Sequence, residues 1–471
     1  MILSGYMVPH PPLAIAEVGR GQEEGIRATL DAYDKVAADI AAKRPDTIII
    51  SSPHSIMYAD YFHISPGKRA SGDMARFGAP MVSFTADYDD KLALLIENEA
   101  AAEGIAAGTM GERDPSLDHG TIVPLYFICK RYTDFKLVRI GLSGLSLAEH
   151  YRLGMIIAQE AERLGRRTVF VGSGDLSHKL KKDGPYGLSP EGPVYDERIM
   201  KDMGEAAFDR ILDYDESFCS KASECGHRSF VMMAGALDGC ALKTSRLSHE
   251  GPFGVGYGIC MYEVIGSDED RHFLDKKKRS ALTRMNKDSL EAKTGDPYVK
   301  LAYRSIYSYV RDGVRLEVSE ALGDMTQGAE TGVMLGERSG VFVSIHKNGQ
   351  LRGCIGTFLP VTDCIAAEIL RNAVSASTED PRFDPVTADE LDELEVNVDV
   401  LSTPLPVEDV SKLDAKKYGV IVTRGSRRGL LLPDLPGVDT VDQQIAIAKQ
   451  KAGIRQNEEV ELLAFEVIRH R

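Results

Sequence analysis

Apolar runs alternate with longer amphipathic stretches along the first 265 residues of the chain. Three amphipathic stretches have helical spacing: GIRATLDAYDKVAADIAAKR, DYDDKLALLIENEAAAEGI and SLAEHYRLGMIIAQEAERLG. They separate four strand-like runs: MILSGYMV, DTIIIS, FKLVRIGLS and RTVFVGSGD. Strands that alternate with helices at this spacing indicate a parallel sheet with helices on its faces. Residues 1–265 are therefore predicted to form an α/β domain whose central, largely parallel sheet is flanked by helices.

The pattern changes in residues 266–296, which are strongly charged and include the basic run DKKKRSALTR. We interpret this segment as a solvated connector or surface helix and not as a nucleic-acid patch, because the chain around it is acidic. From Pro297 onward the chain shows an amphipathic helix, a hairpin with Asn348-Gly349 at its turn, and further strand-like runs. Residues 297–471 are predicted to form a second, smaller α+β domain.

The composition is that of a soluble globular protein, with 43% apolar and 27% charged residues. A net charge of −15 argues against broad binding to nucleic acids or anionic membranes, which requires a basic face. No apolar run approaches the roughly 20 residues of a membrane span. The seven cysteines are scattered and never form a CxxC pair. We therefore expect a reduced, cytoplasmic protein without nucleic-acid or membrane partners.

Candidate chemistry concentrates in the first domain, where five of the eleven histidines lie in predicted loops together with acidic residues. His10 and His54 each follow an apolar strand-like run. Active sites of parallel sheets lie beyond the carboxyl ends of the strands, so both histidines lie where a site is expected. Three further segments supply candidates: Asp118 and His119, Asp175 and His178, and Glu224, Cys225 and His227.

Histidines and a carboxylate in one place indicate a metal site. Two histidines and one carboxylate on one side of a metal form the facial triad of non-haem Fe(II) oxygenases, which leaves positions open for substrate and dioxygen. Two neutral imidazoles and one carboxylate leave a net positive ferrous site, to which a catecholate and dioxygen can both bind.

The segments MVPHPP, SSPHS, LDHGTIVPL, GDLSH and SECG, in this order, resemble the class III extradiol ring-cleavage dioxygenases of the LigB type and their relatives, the Memo-like proteins. The resemblance covers most of residues 1–265 and implies that His10, His54 and Glu224 bind Fe(II). It further implies catalytic roles for two histidines, with His178 as the acid–base group and His119 in contact with the substrate or behind the ligands. Asp118, Asp175 and His227 are expected in the substrate-contacting or second layer.

The function implied by this resemblance is that of an Fe(II)-dependent oxidoreductase that opens a catechol-like or other small aromatic ring with dioxygen. His178 would first accept a proton from the substrate and later donate one. The Gly172-Ser173-Gly174 segment allows a tight turn that would bring His178 to the site. The LigB-type relatives also imply a homo-oligomer.

The identity of the third ligand stays open between Glu224 and Cys225, which are adjacent. Successive residues at a helix start point about 100° apart, so we expect only one of them at the metal and favour Glu224. Memo-like proteins have a cysteine in this region, and a site of two histidines and Cys225 would suit copper or another divalent metal. The alternative function is then a metal-binding accessory or adaptor protein. The resemblance to Memo-like proteins implies a radical-SAM partner, and this partner would be a separate protein because the chain has no CxxxCxxC sequence.

The second domain resembles AMMECR-type domains through LRGCIG, DPRF, LEVNVDVLS and GLLLP, in the family's order. This resemblance carries no assigned chemistry. Arg352, Cys354 and Arg382 are its candidate site residues, because a nearby cation lowers the pKa of a thiol. We favour the simpler interpretation of Cys354 as a small buried residue in a glycine-bounded strand.

Overall fold

The computed structural model describes residues 1–277, 295–325, 329–435 and 437–471. The chain divides into two compact units, Met1–Lys277 and Lys278–Arg471. Most of the predicted charged connector, residues 266–296, lies outside the described residues and stays a prediction.

The strands of the first unit are β1 Ile2–Val8, β2 Thr47–Ser52, β3 Phe62–His63, β4 Arg69–Met74, β5 Ala79–Asp87, β6 Ala107–Gly108, β7 Lys136–Gly141, β8 Thr168–Ser173, β9 Cys240–Glu250 and β10 Tyr257–Ser267. Six of them form one sheet, in which β7, β2, β8 and β1 are parallel and β10 and β9 are antiparallel. The helices of this unit are α1 Ala16–Gly19, α2 Arg27–Lys43, α3 Asp90–Ala102, α4 His119–Ile128, α5 Leu147–Arg163, α6 Glu191–Gly204, α7 Phe208–Ile211, α8 Glu216–Ala222 and α9 His227–Ala236. The predicted mixed α/β unit with a largely parallel sheet is confirmed.

Helices cover both faces of this sheet, which explains why every residue of β2 is buried. Ile48 and Ile50 pack into an apolar cluster with residues of α2 and α4. Successive side chains of a strand point to opposite faces, and on the other face Gly172 leaves room for α9. A Cβ atom at Gly172 would lie 3.2 Å from the carbonyl oxygen of Ser229. The strands therefore lie between two helical layers, and their carboxyl ends open at one edge.

The strands of the second unit are β11 Val341–Lys347, β12 Gln350–Gly356, β13 Leu394–Leu401, β14 Leu405–Pro406, β15 Tyr418–Arg424, β16 Arg427–Leu431 and β17 Glu461–His470. They form an antiparallel sheet in the order β12-β11-β13-β17-β15-β16, with β14 paired to β17. The helices of this unit are α10 Pro297–Asp312, α11 Val318–Leu322, α12 Ala329–Gly336, α13 Ile365–Thr378 and α14 Val441–Lys451. The predicted hairpin is confirmed, since Asn348 and Gly349 join β11 to β12 with φ of 53° and 73°.

Among the described residues, no helix is both long enough and apolar enough to cross a membrane.

The contact between α5 and α9 gives a stability prediction, because two glycines let these helices approach closely. A Cβ atom at Gly154 would lie 2.0 Å from the carbonyl oxygen of Met232, and one at Gly235 would lie 1.9 Å from that of Tyr151. Gly154→Ala should therefore lower the free energy of unfolding of the first unit by about 1–3 kcal/mol or more, as overpacking does. Urea denaturation measures the change.

The matched control is Gly204→Ala at the end of α6, where the nearest atom would be Arg246 Cδ at 3.4 Å. This change should be neutral or slightly stabilising, because alanine restricts the unfolded chain. Equal effects of the two substitutions would contradict the close helix contact.

Candidate metal centre

Three histidines from three different elements meet at the carboxyl edge of the first unit's sheet. His10 follows β1, His54 follows β2, and His119 begins α4. One ring nitrogen of each lies within 4.8 Å of the others, and Nε2 of His10 is 3.0 Å from Nε2 of His54. Metal–nitrogen bonds are about 2 Å long, so nitrogens this close can share one ion. Imidazoles suit iron, copper, zinc and nickel, and the group can therefore hold a transition metal.

The orientation of His10 is fixed by its other ring nitrogen. Nδ1 lies 2.9 Å from Ser173 Oγ, whose own proton is donated to the carbonyl oxygen of Gly120 at 2.6 Å. Ser173 Oγ must then accept from His10, which places the ring proton on Nδ1 and leaves Nε2 free for a metal. Burial, reinforced by the neighbouring histidines, also holds the pKa of His10 well below its usual value of 6.5. His10 is thus a neutral imidazole with its lone pair directed at His54.

The turns that carry His54 and His119 are joined by one carboxylate, that of Asp118. Its Oδ1 accepts hydrogen bonds from Ser52 Oγ at 2.5 Å and from the N–H of Thr121 at 3.1 Å, which caps α4. Ser52 Oγ in turn accepts the N–H of His54 at 3.2 Å. Asp118, expected from the sequence near the substrate or behind the ligands, therefore ties the end of β2 to the start of α4.

The structure departs from the expected ligand set at Glu224. Its Oε2 accepts the N–H of His227 at 2.6 Å, so this carboxylate satisfies the first turn of α9, and burial raises its pKa to about 7. Among the described residues, Glu224 is not in the group of mutually close metal-binding side chains, whereas His119 is. The geometry therefore does not support the preference for Glu224 over Cys225 as a ligand. The carboxylate of Glu224 instead accepts a backbone N–H that has no partner within the helix.

Cys225, the alternative ligand, lies beside the histidines. Its Sγ is 3.6 Å from His10 Nε2 and accepts the N–H of Asp175 at 3.2 Å. The chain turns immediately before Glu224 and Cys225, at Ser223, whose backbone is left-handed with φ of 53°. The sulfur, and not the adjacent carboxylate, is thus the group that this loop brings to His10.

The other predicted residues of the first unit lie around this centre in different ways. His178 Nδ1 is 2.5 Å from the carbonyl oxygen of Ser223, so Nε2 is the nitrogen left for chemistry. Asp175 Oδ1 accepts the N–H of His10 at 2.7 Å, and burial raises its pKa to about 7. Both ring nitrogens of His227 have partners away from the histidine group. Its Nε2 lies 2.9 Å from the carbonyl oxygen of Ile211, and its Nδ1 lies 3.2 Å from Tyr195 Oη.

A cavity of about 700 Å³ opens beside His54 and His119. This volume is in the range of small-molecule sites. Phe77, 36% exposed, places its ring edge-on to His119 with centroids 5.1 Å apart. The wall also includes Arg139, which is 1% exposed and donates from Nε to Ser65 Oγ at 2.7 Å.

Arg139 was missed by the sequence reasoning, although a signal was present. It is the one charged residue inside the apolar run LVRIG, and a buried arginine in a strand needs partners. Its acidic partners are Asp118, 3.8 Å from its guanidinium and also in the cavity wall, and Glu112, 3.5 Å away.

In the second unit, the three candidates do not form one cluster around the thiol. Arg352 donates from Nη2 to Glu390 at 2.9 Å, so its guanidinium is paired with this carboxylate and not with the Cys354 thiol. The cation next to Cys354 is Arg382, which donates to its carbonyl oxygen at 3.2 Å and to Asp380 Oδ2 at 2.7 Å.

Comparisons with known proteins agree with the two-unit organisation. Residues 4–260 match the family model of the catalytic LigB subunit of aromatic ring-opening dioxygenase, and residues 299–470 match the AMMECR1 model. The chain is 42% identical over 487 residues to Protein CA_C1420 of Clostridium acetobutylicum, with 100% of both chains covered.

Two further proteins are similar to part of the chain. A protein of Thermotoga maritima is 52% identical over 177 residues, which cover 37% of this chain and 97% of that protein. The crystal structure of the uncharacterized protein PH0010 from Pyrococcus horikoshii is 28% identical, covers 38% of this chain and 92% of that chain, and has a TM-score of 0.33.

The ligand set can be tested by metal content. His10→Ala, His54→Ala and His119→Ala should each lose most of the bound iron or copper after gel filtration in chelator, because too few ligands remain. Cys225→Ala should weaken copper more than iron, since thiolates favour softer ions. Glu224→Gln is the matched control, because its amide oxygen can still cap α9. Metal lost from Glu224→Gln but retained by His119→Ala would contradict the geometry.

The Asp380–Arg382 pair predicts an acid sensitivity of the second unit. Hydrogen bonds from Arg382 hold the pKa of the buried Asp380 carboxyl at about 2, below its unfolded value of about 3.9. A group with a depressed pKa contributes stability above its unfolded pKa and loses it as the pH falls through the folded pKa. Asp380→Asn should therefore cost roughly 1–2 kcal/mol at pH 7 and progressively less toward pH 2.

Urea midpoints of the second unit at pH 7, 4 and 2.5 measure this effect. Asp389→Asn, at an exposed carboxylate of the same unit, is the control and should show little difference at any pH. A cost for Asp380→Asn that does not change with pH would contradict the electrostatic explanation.

Proposed function

Because this chain belongs to the LigB family of catalytic subunits of aromatic ring-opening dioxygenases, we propose that its first unit is a metal-dependent oxidoreductase that opens a catechol-like or other small aromatic ring with dioxygen. The observation that carries this proposal is the convergence of His10, His54 and His119 beside a cavity of about 700 Å³. The proposed metal is Fe(II).

The residues present fit a transition metal, with a difference from the expected triad. His10 and His54 would hold the ion together with His119 or Cys225, and no carboxylate joins the mutually close group among the described residues. Ferrous iron, when bound, supplies a centre to which both a catecholate and dioxygen can coordinate.

The protein's own groups would bind and orient the substrate and move its proton. The cavity would receive the ring next to His54 and His119, with Phe77 at its side. His178 would accept the substrate proton at Nε2, because its Nδ1 is engaged with Ser223. Burial lowers the pKa of His178, which favours the neutral imidazole that a general base requires.

A catechol panel tests this function. The protein is loaded with Fe(II) without air and mixed with the panel, and air is then admitted while oxygen uptake and yellow ring-opened product are recorded. His178→Ala should keep its iron and lose roughly 10²–10⁴ in kcat, the usual contribution of a positioned proton-transfer group. His272→Ala is the control, at a partly exposed histidine paired with Asp238.

The outcome that would contradict the enzyme proposal is metal binding without oxygen uptake for every compound of the panel. It would favour a second candidate, a metal-binding accessory protein that works with a separate radical-SAM partner. The observation that favours this candidate is Cys225 Sγ at 3.6 Å from His10 Nε2, since a thiol ligand makes the site softer and suits copper. A copper affinity that depends on Cys225 would support it further.

A further inference from the structure

The loop that carries His178 is held at one side by a buried carboxylate of α6. Asp196, 3% exposed, accepts the N–H of Ser177 on Oδ1 at 2.8 Å. Ser177 immediately precedes His178 in the chain. The backbone that determines where the imidazole lies is therefore bound to a charged group, and hydrogen bonds to charged groups are the stronger ones.

The opposite side of the same loop is held by Gly256, the residue before β10. The N–H of Leu176 donates to the carbonyl oxygen of Gly256 at 2.9 Å, and the N–H of Gly256 donates to the carbonyl oxygen of Ser177 at 2.8 Å. A Cβ atom at Gly256 would lie 1.8 Å from Asp196 Oδ2. A glycine is thus required here so that the carboxylate and the strand can both contact the loop.

The end of α8 completes this arrangement. Ser177 Oγ donates to the carbonyl oxygen of Ala222 at 2.8 Å, and His178 Nδ1 lies 2.5 Å from the carbonyl oxygen of Ser223. On the far side of Asp196, His249 Nε2 lies 3.3 Å from Oδ2 and orients the carboxylate. Asp196 therefore fixes the loop together with Gly256 and the end of α8.

We propose that Asp196 is a positioning residue for His178, which it holds with Nδ1 on Ser223 and Nε2 free for proton transfer. This inference rests on the role of His178 in the proposed function. Among the described residues, Asp196 makes no hydrogen bond to His10, His54 or His119, and the test therefore measures iron content separately from turnover.

The test compares two buried carboxylates of the same helix. Asp196→Ala removes the partner of Ser177, and Asp196→Asn keeps an oxygen that can accept its N–H. The matched control is Asp202→Ala on α6, because Asp202 is 4% exposed and bonds to Arg210 and Tyr214 instead of the loop. Iron content, kcat and KM are measured for the full-length protein loaded with Fe(II).

Asp196→Ala should retain its iron and nearly the same KM but lose roughly 10–100-fold in kcat, since small displacements of a catalytic group have effects of this size. Asp196→Asn should lose less, and Asp202→Ala should behave as the parent protein. Because Asp196→Asn preserves the shape of the side chain, it carries the comparison if the alanine variant does not fold. Equal kcat values for the Asp196 and Asp202 variants would overturn the proposal.

A second measurement keeps this inference distinguishable from the proposed function. Ring ¹⁵N–¹H correlations of histidine-labelled, zinc-loaded protein report the tautomer of His178, which is assigned with His178→Ala. The parent protein and Asp202→Ala should show the proton on Nδ1 alone, and Asp196→Ala should show mixed tautomers. If the protein turns over no aromatic compound of the panel, this spectrum alone tests whether Asp196 positions His178. An unchanged His178 signal in Asp196→Ala then overturns the proposal.

Discussion

The hydrogen bonds accepted by Asp118 are the interaction on which the histidine group depends. They join Ser52 at the end of a central strand to the first turn of α4, and so determine the distance between His54 and His119. The ring centroids of these two histidines are 4.0 Å apart. A hydrogen bond to a charged group is worth about 1.5–3 kcal/mol, which is enough to fix the end of β2 to the start of α4. Arg139 lies behind this carboxylate and balances its charge inside the protein.

Burial then determines the chemical state of the group. The pKa of His119 falls to about 4, mainly because desolvation disfavours the charged ring, and that of His10 lies well below its usual value for the same reason. Three neutral imidazoles are held close together near neutral pH without mutual charge repulsion. A neutral imidazole has a lone pair on one ring nitrogen, and this is the form that binds a metal.

The sequence was sufficient to predict features that depend only on residues adjacent in the chain, such as the residue that follows a strand. His10 and His54 were placed correctly at strand ends, because apolar runs mark buried strands and parallel strands end at one edge. The choice between Glu224 and Cys225 was different, since it depends on which residue satisfies the N-terminus of α9 after the left-handed turn at Ser223. Asp196 gave no signal either, because its partner Ser177 is 19 residues away and lies next to it only in the folded chain.

The site is therefore built from two supports. The Asp118 network holds the elements that carry His54 and His119, whereas α6, α8 and Gly256 hold the loop of His178. The two supports meet at His10, whose N–H is accepted by Asp175 of that loop, and at the segment 223–225, where the sulfur of Cys225 lies beside His10 and the carbonyl oxygen of Ser223 holds the ring of His178. The left-handed turn at Ser223, with φ of 53°, lets the chain present a carbonyl oxygen to His178 and, two residues later, a sulfur to His10, whichever chemistry the centre performs.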